Sequence, residues 1–340
     1  MKNLHRLSVV GLIILITGCS AAVKKDSPPG WVSGVAQQYP AKQYLVGRGS
    51  SIRLDDASDR ARADIAKIFE VEIAEASFDS QMFEQEMASD ASQDKVKGRF
   101  KVTRDIEVYT GRILRGVEIA ETWQDPETGT FYTLAALKRQ PAAQALREEI
   151  RHQDEATRLY ISSARKQQDL LKRIAAASRA VEAQIERTYL HRSLMVITPD
   201  RGDESRWAVV NLQADRDALM RKLAIYPLVS GKHAREVLPI LEGAIAKAGF
   251  SAQSEEQAQY QLKAKLELDD PVVKDNWHWL RGTFEVVLLD SDKAVRGLKR
   301  WPVKVSAQKS DATFRRALAQ IDTVLKNELR TAVISFAIKD

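Results

Sequence analysis

One cysteine, 10 prolines and 16 glycines are all that the 340 residues hold of these types, and each scarcity excludes something. A single cysteine leaves no internal disulfide framework and no cysteine-built zinc or iron–sulfur site. Glycine and proline are too few for a collagen-like or low-complexity chain. Histidine is sparse as well. His152, His191, His233 and His278 never fall at metal-ligand spacing, and no His-Glu-x-x-His run occurs. An excess of one charge is also lacking: 52 Lys plus Arg face 46 Asp plus Glu, a net +6, which is not the balance of an obligate nucleic-acid binder. What remains, 44% apolar and 29% charged residues, is ordinary for folded protein and excludes both a wholly disordered chain and a multi-span membrane protein. The length calls for two or three folded units.

Catalytic signatures are missing too. Gly-x-Ser-x-Gly is absent. Gly47-Arg48-Gly49-Ser50-Ser51 lacks both the third glycine of a dinucleotide loop and the Gly-Lys-Ser/Thr of a nucleotide loop, so it reads as a turn that uses glycine dihedrals. The acids Asp55, Asp56, Asp59, Asp64, Glu70, Glu72 and Glu75 read as a solvated or capping helix face. The expectation is a non-enzyme with no metal site and no cofactor.

The N-terminus carries the sharpest signal. Lys2 and Arg6 precede an apolar stretch from Leu7 to Ile16, about ten residues where a bilayer span needs roughly 20. It ends in Ile16-Thr17-Gly18-Cys19, which resembles the bacterial lipobox. That resemblance implies cleavage before Cys19, diacylation of its sulfur and acylation of the new amine. Ser20 rather than Asp follows, so the expected destination is the outer membrane, on its periplasmic face. Three acyl chains anchor far more firmly than one.

Residues 1–18 are thus expected to be signal peptide and 19–30 a lipidated polar tether. Residues 31–139 read as an α+β domain: a strand at Tyr44–Gly47; a helix with Ala57, Ala61, Ile65 and Ile68 inward, capped by Asp55 or Asp56; a polar loop from Ser80 to Asp94; then period-two strands through Phe100, Val102, Ile106 and Val108, through Ile113, Val117, Ile119 and Trp123, and over Thr130–Leu137. Residues 140–191 read as a spacer, one long helix or a helical hairpin, with a seam at Leu171, Ile174, Val181 and Ile185. Residues 192–340 are α+β again. A strand at Lys222–Val229 leads to a helix that ends at Gly249 and would admit Pro239 only in its first turn. Tyr260, Leu262, Ala264, Leu266 and Leu268 alternate cleanly, strands follow through Phe284 and Trp301, and an amphipathic helix runs from Phe314 to Phe336. The predicted fold class is α+β, two antiparallel-sheet/helix domains joined by the helical segment.

The run Pro29-Gly30-Trp31-Val32, then Tyr44 to Gly49, the alanine-rich helix from Ala57 to Ala66, Glu118 to Trp123, and Tyr132 to Ala135 together resemble the LPP-twenty lipoprotein family over roughly 29–140. The resemblance implies a bacterial outer-membrane lipoprotein, some members of which are linked to flagellar structures, with a domain similar to the N-terminal domain of the flagellar protein FlgT. Residues 220–340 resemble, more loosely, small α+β modules such as the N-terminal module of TolB.

Two surface candidates remain. Lys293, Arg296, Lys299 and Arg300 beside Trp301 form a basic tract at an expected hairpin, suited to an anionic surface or equally to a solubilising tip. Trp277-His278-Trp279 could stack on sugar, or simply begin a strand with half-buried rings. The expected function is a scaffold or binding module in an envelope assembly. Its partners would be the outer membrane through lipid, and envelope proteins such as the flagellar basal body or the peptidoglycan-synthesis machinery, with no nucleic acid. The alternatives are a periplasmic ligand carrier, a cell-wall-acting enzyme with an unrecognised site, and a purely structural lipoprotein.

Overall fold

The computed structural model describes residues 27–85, 111, 114–198 and 204–337. A short helix α1 (Gly30–Ser33) precedes strand β1 (Tyr44–Ser51), helix α2 (Leu54–Gln85) and strands β2 (Val117–Gln124) and β3 (Phe131–Lys138). The three strands form an antiparallel sheet in the order β1-β3-β2. Helix α2 covers one face, burying Ala57, Ala61, Ile65, Phe69 and Ile73 completely. Each of the larger three is worth about 2–3 kcal/mol of burial. Ile68, expected inward, is 40% exposed and Phe69 takes its place. The helix also runs through Ser80–Gln85, where a loop was expected. Asp55 and Asp56 sit inside its first turn, favourable to the helix dipole, rather than at the cap. The strand expected at Phe100 to Val108, and Ile113, lie outside the described residues.

Gly47 and Gly49 are strand residues within β1, not a turn. A Cβ on Gly47 would overlap the Ala61 carbonyl oxygen, and one on Gly49 would overlap the Ala57 carbonyl oxygen. The glycines are there to let strand and helix backbones approach.

The middle of the chain is a hairpin of helices α3 (Arg139–Lys166) and α4 (Leu170–Ile197). It is closed by a short connection in which Asp169 caps α4, accepting from the N–H groups of Leu171 (2.8 Å) and Lys172 (3.1 Å). Helix α4 is more than a spacer. Its first turns place Leu171, Ile174 and Ala175 in the C-terminal core, and its later turns place Val181, Ile185, Tyr189, Leu190, Leu194 and Ile197 in the N-terminal one. Arg139 fastens the far end: its guanidinium donates to the carbonyls of Ala41 (2.7 Å), Val196 (3.0 Å) and Ile197 (2.6 Å), binding the approach to β1 to the C-terminus of α4.

Helix α5 (Val209–Met220) packs on α4 and leads to strand β4 (Ala224–Ser230), helix α6 (Ala234–Lys247), and strands β5 (Ser251–Ala252), β6 (Tyr260–Leu268), β7 (Val272–Lys274), β8 (Trp277–Leu289) and β9 (Val295–Ala307), before helix α7 (Ser310–Ser335). The sheet order is β5-β4-β6-β8-β7, with β9 on β8. This sheet is mixed rather than purely antiparallel: β4 runs parallel to β5 and β6, because α6 carries the chain back to its starting edge. Pro239 lies beyond the first turn of α6, exposed, and the helix accommodates it. Gly249, at φ +87°, ends that helix as expected. Asp275 and Asn276, both at positive φ, make a two-residue turn between β7 and β8.

Candidate functional surfaces

Cys19, Ile16, Thr17 and Gly18, the residues expected to carry the anchor, lie outside the described residues. No described helix is long and apolar enough to cross a membrane. The described polypeptide reaches its first core residue at Trp31, which is 6% exposed. Arg48 ties this entry segment down, its Nε donating to the Trp31 carbonyl (2.8 Å) and its Nη2 to that of Gly34 (2.8 Å).

The structure disperses the basic tract. The hairpin tip is the Asp290–Lys293 turn, and Arg296, Lys299 and Arg300 lie in β9. Lys293 pairs with Glu255 (3.1 Å). Arg296 is half-buried between Asp169 (3.0 Å) and Asp290 (3.8 Å). Arg300 pairs with Glu285. Lys299 lies 5.9 Å from the centre of the Trp301 ring. Trp301 is core, 7% exposed, stacked with Phe284, and its Nε1–H donates to Glu328 (2.8 Å). These residues therefore do not form one free cationic patch. With Pro302 and Lys304, Lys299 and Arg300 put charges and a proline on a strand bonded to β8 alone, a composition that deters pairing with another chain. The Trp277-His278-Trp279 trio begins β8, with Trp277 38% exposed and the other two half-buried.

The polar centre that joins the hairpin to the C-terminal sheet is Asp169. Its carboxylate caps α4, accepts from the Tyr260 hydroxyl (3.0 Å) and pairs with Arg296. Burial pushes this carboxyl upwards, but the Lys172 N–H, the Tyr260 hydroxyl, Arg296 and the Leu171 N–H outweigh it and hold it below its ordinary value. Burial, followed by the adjacent Asp169 charge, drives the Tyr260 hydroxyl well above its ordinary value. Every member has a structural partner, so the group is a joint between units.

A second polar line runs along the hairpin. Arg187, almost fully buried, pairs with Asp154 (2.8 Å). Gln184 donates to Asp154 (3.2 Å) and to Thr157 Oγ1 (2.9 Å). Its own carbonyl oxygen lies 2.7 Å from the Ser205 hydroxyl, which accepts from the Trp207 N–H (3.1 Å). This chain fixes the segment entering α5. In front of it lies a cavity of about 430 Å³ lined by Arg165, Arg173, Arg206, Trp207, Asp215 and Lys222. The sequence reading missed this site, because its members come from three separate segments. Among the described residues no three potential metal ligands cluster.

Residues 29–138 match the LPP20 (LPP-twenty) lipoprotein family. No curated protein matches the chain. Among solved structures it is similar to the secreted protein HP1454 of Helicobacter pylori, at 14% identity over 87% of this chain and 98% of that one, with a TM-score of 0.42. A candidate lipoprotein of Caulobacter crescentus matches at 19% identity over 34% of this chain and 88% of that one, TM-score 0.24. A minor lipoprotein of Acinetobacter baumannii matches at 11% identity over 32% and 93%, TM-score 0.27.

Proposed function

We propose that this chain, whose residues 29–138 form an LPP20-lipoprotein domain, is a non-enzymatic lipoprotein held in the outer membrane by acyl chains on Cys19. It faces the periplasm and serves as a scaffold or binding module in an envelope assembly. The observation that carries this reading is the order of parts: an export signal, the Ile16-Thr17-Gly18-Cys19 motif, a short polar tether, and then a lipoprotein-family domain. The buried α4, which enters both cores, supports a scaffold role, since a shared helix resists independent motion of the units it joins. The flagellar basal body and the peptidoglycan-synthesis machinery are the partner classes that the family resemblance implies.

Metabolic labelling with an alkyne fatty acid, followed by membrane fractionation, tests the anchor. The native chain is expected to take up label and sediment with outer membranes, and Cys19→Ser to do neither. Sedimentation of the variant with outer membranes would refute the anchor. In-cell crosslinking of the anchored protein tests the scaffold role, which requires defined envelope proteins in the captured complex. Capture of lipids and copies of itself alone would refute it.

A further inference from the structure

The cavity in front of Trp207 lies between the helical hairpin and α5, and a second cavity of about 400 Å³ adjoins it, sharing Arg165, Arg206 and Trp207 and adding Arg158 and Lys166. The larger one sets Arg165, Arg173, Arg206 and Lys222 around a single carboxylate, Asp215. Among the described residues none of these four cations has an acidic partner. Arg206 instead lies 5.5 Å from the centre of the Trp207 ring. The Arg173 Nε is shut off from solvent and has no hydrogen-bond acceptor, a costly state for a charged donor.

The local backbone adds to the positive field. Arg173 stands in the first turn of α4, where the helix dipole disfavours a cation. Helix α5 has Ala208 as its N-cap, with no side-chain cap and no acid in its first turn, and Ala208 and Asn211 line the cavity. Four cations against one carboxylate leave a net positive charge that repels itself, and an anion in the cavity would relieve that repulsion. The site is also preorganised, because the buried Gln184 fixes Ser205 and thereby the backbone of Trp207.

We infer that this groove binds a phosphate-bearing small molecule or lipid headgroup, with the phosphate on Arg165, Arg173 and Arg206 and the attached body against Trp207. Guanidinium forks match phosphate oxygens. The volume is that of a small-ligand site. The inference goes beyond the scaffold reading and stands whether or not Cys19 carries lipid.

The test is calorimetric titration of the full chain, in a neutral detergent, with glucose 1,6-bisphosphate and with dihexanoyl phosphatidic acid. Glucose and dihexanoylglycerol, which lack phosphate, serve as controls. Saturable binding of at least one phosphate probe, and of neither control, is expected. It should weaken at least tenfold in Arg173→Gln and in the exposed Arg165→Gln, and fall with added salt. Arg165 is exposed near the end of α3, so Arg165→Gln is expected to keep the fold, checked by its thermal melt, and keeps the test decisive if Arg173→Gln unfolds. Binding of the sugar phosphate alone identifies a soluble ligand, binding of phosphatidic acid alone identifies a headgroup, and binding of both shows that the phosphate is recognised on either body. No saturable binding of either up to millimolar concentration overturns the inference, as does binding that Arg165→Gln leaves unchanged.

Discussion

Asp169 concentrates three tasks on one carboxylate: it caps α4, holds the Tyr260 hydroxyl and neutralises Arg296. Removing its charge leaves Arg296 with Asp290 at 3.8 Å as its acidic contact. Asp169→Asn keeps an acceptor for the cap and for Tyr260 but breaks the partly buried pair with Arg296, and is therefore expected to cost about 2 kcal/mol at neutral pH, between an exposed and a fully buried pair, measured by denaturant unfolding. The pH dependence has a defined sign. The folded carboxyl titrates below its unfolded value of about 3.9. Its contribution is thus complete above that value and disappears as pH falls through the folded one. The stability gap between native chain and variant should be flat from pH 5 to 8 and should narrow below pH 4. A gap that stays constant into acid would show that the ionised form gains nothing from the fold.

At the scale of elements, identical substitutions should have opposite effects. Gly49→Ala places a methyl in the backbone of α2 and is expected to cost about 2–3 kcal/mol as β1 and α2 are forced apart. Gly243→Ala, in the exposed middle of α6 with nothing within 4 Å of the new Cβ, is expected to stabilise by about 0.5–1 kcal/mol through helix propensity. Paired thermal melts would decide both. The same contrast explains what was legible. Strand β6 could be read from sequence because one face is buried and the other wet, so its residues alternate. The seam of α4 was legible at Leu171, Ile174, Val181 and Ile185, yet its double role was not. A helix buried around most of its circumference shows alanine everywhere and no stripe that points to one partner. The glycines of β1 announced a need for glycine, but only the facing helix shows that the need is room rather than dihedral freedom. The polar end of α2, Ser80–Gln85, offered no apolar period by which to recognise a helix. The cavity at Trp207 was unreadable for another reason. Its cations at 165, 173, 206 and 222 meet only through the hairpin and the packing of α5, and each alone resembles an ordinary solvated residue.

At the scale of the whole molecule, α4 makes the two cores interdependent. Hydrogen exchange under native conditions should give the innermost amides of β3 and β6 the same opening free energy, because neither core survives loss of the shared helix. Two distinct plateaus would mean that the units open separately. Ala177→Pro, midway between the two sets of core residues on α4, should lower both together by about 3 kcal/mol or more. The shared helix also imposes a schedule on synthesis. All the described elements that bury the later turns of α4 precede residue 221, whereas Leu171 and Ile174 must wait for strands β4 to β9 and for α7, which ends at Ser335. A nascent chain stalled halfway therefore displays a ready-made apolar strip on a finished neighbour, and that strip stays open to wrong partners until the last helix arrives.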